Sequence, residues 1–230
     1  MMHLVLADAE LELVPAKIRR HAAVRKSKSM LLDASLHHTA MRGIENWQRR
    51  GRPDIVHVFL LIAHDSILNK EEMLRTYVHT RNDEVIYIKP ETRIIKNYNR
   101  FKGLMEQLFQ HRRVPPDNEP LMEMKNEKLE ELLKKLDGKK ILFSEKGKKV
   151  KLDEMMEEEI VCIIGGFPHG DFLSPVDEMV DEIVKIYDAP LPAWTVEMEA
   201  IVAYENKFIV FPPLNLWKKR QNSGRRRIEK

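Results

Sequence analysis

Apolar residues come in short runs parted by polar breaks, and the spacing inside each run predicts most of the elements. Residues 3–13 open on an apolar run and read as a buried strand. Pro15 then predicts a brief helix over 16–24 with proline in its first turn, and 25–29 is a polar, basic break. Residues 31–47 carry Ala, Met, Glu and Trp at helical spacing. The run DIVHVFLLIA at 54–63 is β-branched and apolar on both faces, which predicts a strand internal to a sheet and places His57 in its core. Asn69 predicts a helix start, with good helix formers over 70–75. Residues 80–83 read as a turn, and 84–89 as a strand that stops before Pro90. Phe101, Leu104, Met105 and Leu108 share one face of a helix over 99–111. The proline-rich stretch 115–120 is a loop, and 127–136 an amphipathic helix ending at Asp137-Gly138. Short buried strands follow at 140–143 and 160–164, each leading into a glycine-containing loop. A helix over 193–204 and a strand over 208–211 close the pattern. Alternating strands and helices favour an α/β domain with a largely parallel sheet.

At 230 residues and 27.1 kDa the chain suits one large domain or two small ones. An apolar share of 43% against 33% charged is a globular balance. The single cysteine, Cys162, excludes an internal disulfide framework and a cysteine-rich zinc site. No run approaches the roughly 20 apolar residues of a membrane span, and acids stand near the start where a signal peptide carries a positive flank, so a soluble intracellular protein is expected. Net charge is only 39 − 36 = +3, but its distribution is uneven. Residues 218–230 hold seven Lys or Arg against one Glu, residues 89–113 seven against two, and 153–159 five acids with no base. Basic segments of this kind are the electrostatic footprint of phosphate-backbone binding, or simply solvated faces.

Arg93, Lys96 and Arg100 stand at i, i+3 and i+7 with Tyr98 between them, and a helix through them would set all three on one face. The loop IIGGFPHGD (163–171) carries three glycines after a buried strand but has neither a dinucleotide fingerprint nor a phosphate-loop Lys-Ser/Thr. It is either a tight turn or a place where backbone approaches a ligand. His37 and His38 diverge by about 100° on a helix, and no zinc spacing supports a metal. The twelve Met residues are scattered like core filler. In RRGRPD (49–54) three arginines flank Asp54 in a turn before the 54–63 run. The pair Arg52–Asp54 could assist chemistry or only fix the turn.

Four segments then occur in one order: RRGRPDIVH (49–57), VHTRNDEVI (78–86), TRIIKNYNRF (92–101) with GLMEQL after it, and IGGFPHGDF (164–172). With them the chain strongly resembles, over 4–211, the ribosome-biogenesis pseudouridine N1-methyltransferases of archaea and eukaryotes, members of the SPOUT or alpha/beta-knot superfamily. The resemblance implies an α/β domain over 1–213 whose C-terminal part threads into a deep trefoil knot, followed by a basic tail at 214–230. It implies S-adenosyl-L-methionine as cofactor, S-adenosyl-L-homocysteine as product, and a cradle of backbone groups. Leu142, Gly165, Gly170, Ile186, Tyr187, Asp188, Ala189, Pro190 and Leu191 stand at the matching positions. Arg52, Arg93, Lys96 and Arg100 match the RNA-binding arginines, and Asp54 with Arg52 lines the target-base pocket as the catalytic pair. The implied partners are a small-subunit rRNA stem-loop and a second copy of the chain, with small-subunit ribosomal proteins as further candidates. No metal or membrane is implied. The compact chain suggests the archaeal cytoplasm, or a nucleolus in a eukaryote. Two features depart from the family: Ile95 and Lys96 replace its Pro and Arg, and the stretch 24–30 is short. Other readings are an RNA-binding assembly factor with little turnover, and a SPOUT enzyme for another nucleoside.

Overall fold

The computed structural model describes residues 1–209. Its centre is one eight-stranded sheet, formed by β1 (Met2–Ala9), β2 (Leu74–Thr80), β3 (Glu84–Ile88), β4 (Arg113–Val114), β5 (Met122–Asn126), β6 (Lys139–Lys149), β7 (Ile160–Gly165) and β8 (Glu182–Lys185). Their order is β4-β5-β3-β2-β1-β7-β6-β8. The β2-β1-β7-β6-β8 side is parallel throughout, whereas β2-β3-β5-β4 is an antiparallel extension. Eight helices accompany the sheet: α1 (Ala22–Ser27), α2 (Ala34–Met41), α3 (Pro53–Asp65), α4 (Ile67–Lys70), α5 (Tyr98–His111), α6 (Leu129–Lys135), α7 (Leu152–Met155) and α8 (Ala193–Phe208).

The period of two along each strand explains the layers. Met2, Leu4 and Leu6 of β1, Ile141 and Phe143 of β6, and Ile160, Cys162 and Ile164 of β7 join the core under α3, α5 and α8. The alternate residues Val5, Ala7, Leu142, Val161 and Ile163 pack on the other face against Leu129, Leu132 and Leu133 of α6. A third cluster, Val14, Ile18, Val24, Leu32, Ala40, Met41 and Ile44, holds α1 and α2 together as a small annex.

Residues 54–63 form helix α3, not a strand. Pro53 occupies its first turn, and the helix runs 13 residues, longer than most strands. It is apolar nearly all round because sheet and α8 cover it from different sides, which removes the periodicity that separates helix from strand. His57 is thus a helical residue; its Nε2–H donates to the Ile95 carbonyl at 2.8 Å and its ring stacks on Phe101 at 4.4 Å. The stretch 16–24 divides into a 3-10 turn (Ala16–Ile18) and α1, capped by His21. The helix expected from Asn69 is only α4, which ends before Glu72 adopts φ 59° and β2 begins. Strands β2, β4, β5 and β8 had no counterpart in the hydrophobic pattern. Phe208 ends α8 rather than starting a strand; residues 210–211, the 213/214 boundary and the basic tail lie outside the described residues.

Glu197 of α8 is fully buried, and neither carboxyl oxygen has a hydrogen-bond partner among the described residues. Burial pushes its carboxyl well above the ordinary 4.5, so the native state holds a proton that the unfolded chain releases. Stability from this group is therefore complete below the unfolded value and declines as pH rises toward the native one. Glu197→Met is expected to flatten urea-unfolding stability between pH 5 and pH 8 and to add about 1–3 kcal/mol at the higher pH, by removing an unsatisfied buried group.

Candidate functional site

The carboxyl ends of β7, β6 and β8 open into a cavity of about 790 Å³. Its walls are Phe143 to Lys146 at the end of the regular part of β6, Ile164 and the glycine loop after β7, the segment Val184–Pro192 without Asp188, and Ala193, Trp194 and Val196 of α8. Arg52 and Ile55, at the start of α3, close one side. Parallel α/β sheets place ligands outside their carboxyl edges for this reason: the loops there diverge and leave a crevice.

The glycine loop is fixed by an arrangement of buried charge at the end of β1. Gly166 N–H donates to Ala7 O at 2.7 Å, and Glu10 N–H returns a bond to Gly166 O at 3.0 Å. Asp8, at φ 51°, accepts from Leu173 N (2.6 Å), Ser174 N (2.9 Å) and Ser174 Oγ (2.8 Å). Burial alone would raise the Asp8 carboxyl, but hydrogen bonds from His79 and Ser174 outweigh it and hold the group below its ordinary value. Glu10, fully buried, binds Arg49 through one oxygen and Arg81 through the other at 2.6 Å. Arg49 in turn donates through Nη1 to Asp171 O at 2.7 Å, and its guanidinium lies 4.3 Å from the Phe167 ring centroid. Gly170, at φ 91°, takes a backbone conformation that a side chain would strain. Arg49→Met is expected to loosen this loop and weaken S-adenosylhomocysteine binding about 10-fold, as a lost charge-assisted hydrogen bond would, with Arg49→Lys recovering part of the loss in calorimetry.

Arg52 and Asp54 form a bidentate pair, Nε to Oδ1 at 2.9 Å and Nη2 to Oδ2 at 2.7 Å. The bond raises the Arg52 guanidinium further above its ordinary value, while the Asp54 side chain keeps 44% exposure and so still faces an incoming partner. The pair fixes the first turn of α3 beside the cavity. Nearby, Asp33 accepts from Tyr98 Oη (3.0 Å) and Lys102 Nζ (2.7 Å), and burial, followed by the Asp33 charge, pushes the Tyr98 phenol upward.

The structure brings Arg52, Gly165, Gly170, Ile186, Tyr187, Ala189, Pro190 and Leu191 to one cavity. Leu142 instead points its side chain to the opposite face of the sheet, and its neighbour Phe143 lines the cavity. Asp188 turns outward to Lys149 and Lys185, whose proximity holds its carboxyl low, Lys149 most of all. Arg93, Lys96 and Arg100 are all exposed, but they share no helix face: α5 begins after the Asn97 cap, so only Arg100 is helical. Lys96 lies 3.6 Å from Asp65. Arg49 and Phe167 stood in segments the sequence singled out but without an assigned role, and Glu10, Asp8, Phe143 and Trp194 were not singled out; the acids at 8, 10 and 12 were the one local hint. No cluster of three metal-binding side chains occurs among the described residues.

The donor set fits a phosphate-free nucleoside cofactor. Walls of Phe143, Ile164, Phe167, Ile186, Leu191 and Trp194 alternate with loop backbone, and a Cβ at Gly165 would stand 2.8 Å from the Phe167 ring, in the floor of the cradle. Fold and site together define an α/β domain built to hold a small apolar-faced cofactor at the end of its parallel strands. Residues 4–205 match the EMG1/NEP1 methyltransferase family model, and the chain belongs to that family. It is 44% identical over 225 residues to the ribosomal RNA small subunit methyltransferase Nep1 of Thermococcus sibiricus, covering 91% of this chain and 100% of the relative. The protein of the same name from Methanothrix thermoacetophila is 48% identical over 218 residues, covering 90% and 96%. Among solved structures, Archaeoglobus fulgidus Nep1 bound to S-adenosylhomocysteine superposes with a TM-score of 0.82 at 38% identity, over 90% of this chain and 98% of that one.

Proposed function

We propose that this chain transfers a methyl group from S-adenosylmethionine to N1 of a pseudouridine in small-subunit ribosomal RNA, during assembly of that subunit. The observation that carries the reading is the cavity at the ends of β6, β7 and β8, which has backbone and apolar walls and lies against the exposed Arg52–Asp54 pair. Gly165, Gly170, Ile186, Tyr187, Ala189, Pro190 and Leu191 would hold the cofactor, with Leu142 contributing backbone only and Asp188 the outer rim. When bound, the sulfonium supplies the electrophilic methyl group.

Pseudouridine keeps a hydrogen on N1 because its ribose is joined through carbon. The chain's share of the work is then to orient N1 along the transfer axis, to receive a hydrogen bond from N1–H at the half-exposed Asp54 and assist loss of that proton to solvent as the methyl bond forms, and to stabilise charge growing on the base with Arg52. Arg93, Lys96 and Arg100 would take backbone phosphates of the stem-loop. We read 1–213 as one domain with its C-terminal strands knotted, as the parallel return of β8 onto β6 beside β7 allows, and 214–230 as a basic tail. The outer face of α8, with Val202 and the preceding Tyr187 exposed along a groove of about 500 Å³ and Met198 exposed on the same helix, fits a second copy of the chain. Small-subunit ribosomal proteins remain candidates for the assembled particle. The cytoplasm is the compartment this reading implies, given archaeal relatives and no helix among the described residues long and apolar enough to cross a membrane.

The test is methyl transfer from labelled S-adenosylmethionine to paired stem-loops carrying pseudouridine or uridine at the loop target. Label on the pseudouridine RNA alone is the expected result. Label on uridine would reassign the nucleoside, and binding of both ligands with no label would turn the protein into an assembly factor.

A further inference from the structure

Residues 15–32 carry Lys17, Arg19, Arg20, Arg25, Lys26 and Lys28 and no Asp or Glu at all. All six cations are exposed, on the 3-10 turn (Lys17), on the turn after it (Arg19 and Arg20), on α1 (Arg25 and Lys26) and at the left-handed residue that ends it (Lys28). None of them makes an ion pair with a carboxylate among the described residues. Several other cations do have counter-charges, Lys139 by Glu157 and Glu182, Lys146 by Asp171 and Lys149 by Asp188, while Arg42, Arg93, Arg100 and Lys148, like these six, have no carboxylate partner among the described residues. In a chain with 36 acids, six consecutive cations without one counter-charge form a surface of a single sign. Such a surface is relieved of its self-repulsion by a polyanion.

The surface is also held in place, which a merely solubilising segment does not need. Val24 is buried in the annex core, and Ser27 Oγ lies 2.7 Å from His37 Nε2. Just after the cations, Glu106 of α5 accepts from Ser29 Oγ (2.8 Å), Met30 N (2.8 Å) and Leu31 N (3.1 Å). Asp33 then binds Tyr98 and Lys102 of the same helix, and Ala34 N donates to Gly51 O at 2.8 Å, one residue before Arg52. The annex is thus fastened both to the helix that bears Arg100 and to the turn that bears the Arg52–Asp54 pair.

We infer that the Lys17–Lys28 surface is a second RNA contact, gripping backbone phosphates of the substrate away from the modified nucleotide. The inference rests on the proposal that RNA is the substrate and names a surface that proposal does not use. The six cations come without an interleaved aromatic or an apolar pocket, which suits sequence-independent backbone contact better than recognition of a peptide.

The experiment uses the full chain with Lys17, Arg20, Arg25 and Lys26 all changed to Gln. Arg19 is spared because its Nε donates to Val14 O at 3.1 Å, and Lys28 because it sits at φ 57°. Fluorescence anisotropy with a labelled pseudouridine stem-loop, repeated across salt concentrations, reads affinity and salt slope. Binding is expected to weaken about 30-fold near 0.1 M salt, and the slope of log K against log salt to fall by about 3–4, at roughly 0.7–0.9 for each of four lost phosphate contacts. Affinity for S-adenosylhomocysteine and turnover at saturating RNA stay unchanged. A control with Lys125, Lys128, Lys134 and Lys151 changed to Gln removes the same charge elsewhere. Equal losses in both variants, or an unchanged affinity and slope in the first, would overturn the inference. If the fourfold variant fails to fold, the Arg20→Gln, Lys26→Gln pair carries the same comparison with about half the effect. A wild-type protein that binds RNA without methylating it would sink the methyltransferase reading and leave this test intact.

Discussion

Asp54→Asn is expected, on the role proposed for it, to lower methyl transfer to pseudouridine RNA by about 100-fold or more, the usual size of a lost electrostatic contact in a transition state, while S-adenosylhomocysteine binding stays as in the wild type. The separation follows from where the side chain lies. Asp54 is beside the cavity but does not line it, so its replacement leaves the cofactor walls intact. Its bidentate bond to Arg52 is partly exposed, with side-chain exposures of 29% and 44%, and such pairs contribute only about 0–1 kcal/mol to folding. Misfolding therefore does not account for a large kinetic loss. Asparagine is nearly isosteric and can still accept one Arg52 N–H, but it brings no charge to meet the N1 proton. The check is single-turnover transfer alongside thermal unfolding. Full turnover with an unaltered melting temperature would reduce Asp54 to a brace for Arg52 and the first turn of α3.

The second large effect is on the cofactor. A Cβ at Gly165 would stand 2.8 Å from one Phe167 ring atom and 3.4 Å from Phe172. The Phe167 ring is not free to yield, because Arg49 lies over its face and Phe172 packs against it edge-on at 5.1 Å. Gly165→Val therefore overpacks the loop wall that Phe167 contributes to the cavity. Overpacking of about 1–3 kcal/mol at this point corresponds to a 5- to 150-fold loss of S-adenosylhomocysteine affinity. Calorimetry measures it directly, with circular dichroism as the control for folding. Because Trp194 lines the same cavity, its fluorescence should report binding in the wild type and lose that response in the variant.

How legible each part was in the sequence depended on whether a residue's partners lie near it along the chain. α5, α6, β3, β7 and most of α8 were readable because period and caps are local: Asn97 accepts from Arg100 N, and Gly138 follows α6. α3 was misread because burial on several sides erases the period that identifies a helix. β2, with the sequence LRTYVHT, sets Arg, Thr, Tyr and His among its buried and half-buried positions, and β8 is four residues long, so neither carries a usable apolar repeat. The glycine loop and the Arg52–Asp54 turn were visible as motifs, whereas their support was not. Asp8 and Glu10 fell inside a stretch read as a buried strand and Arg49 inside a charged turn, and nothing local joins them until the sheet brings positions 8–10, 49, 81 and 171–174 together. The same limit applies to Arg93, Lys96 and Arg100, whose spacing suggested a helical face that the Asn97 cap prevents. The acid-free run after Pro15 read as a brief helix over 16–24 and a polar, basic break over 25–29, and gained meaning only once its cations proved to have no carboxylate partner among the described residues.

The central strand also shapes how the protein is made. β1 pairs with β2 from residue 74 onward, but its other edge pairs only with β7, at residues 160–165. On a ribosome adding about 5–20 residues per second, that second edge waits on the order of 10 s after the first is covered. During this interval the antiparallel half can assemble around a largely apolar strand whose N–H and C=O groups on one side have no partner. Unpaired hydrophobic edges of this kind recruit other strands. The placement of β1 thus makes the nascent chain, rather than the finished enzyme, the form most dependent on chaperones, and chains cut short before residue 160 the most prone to aggregate.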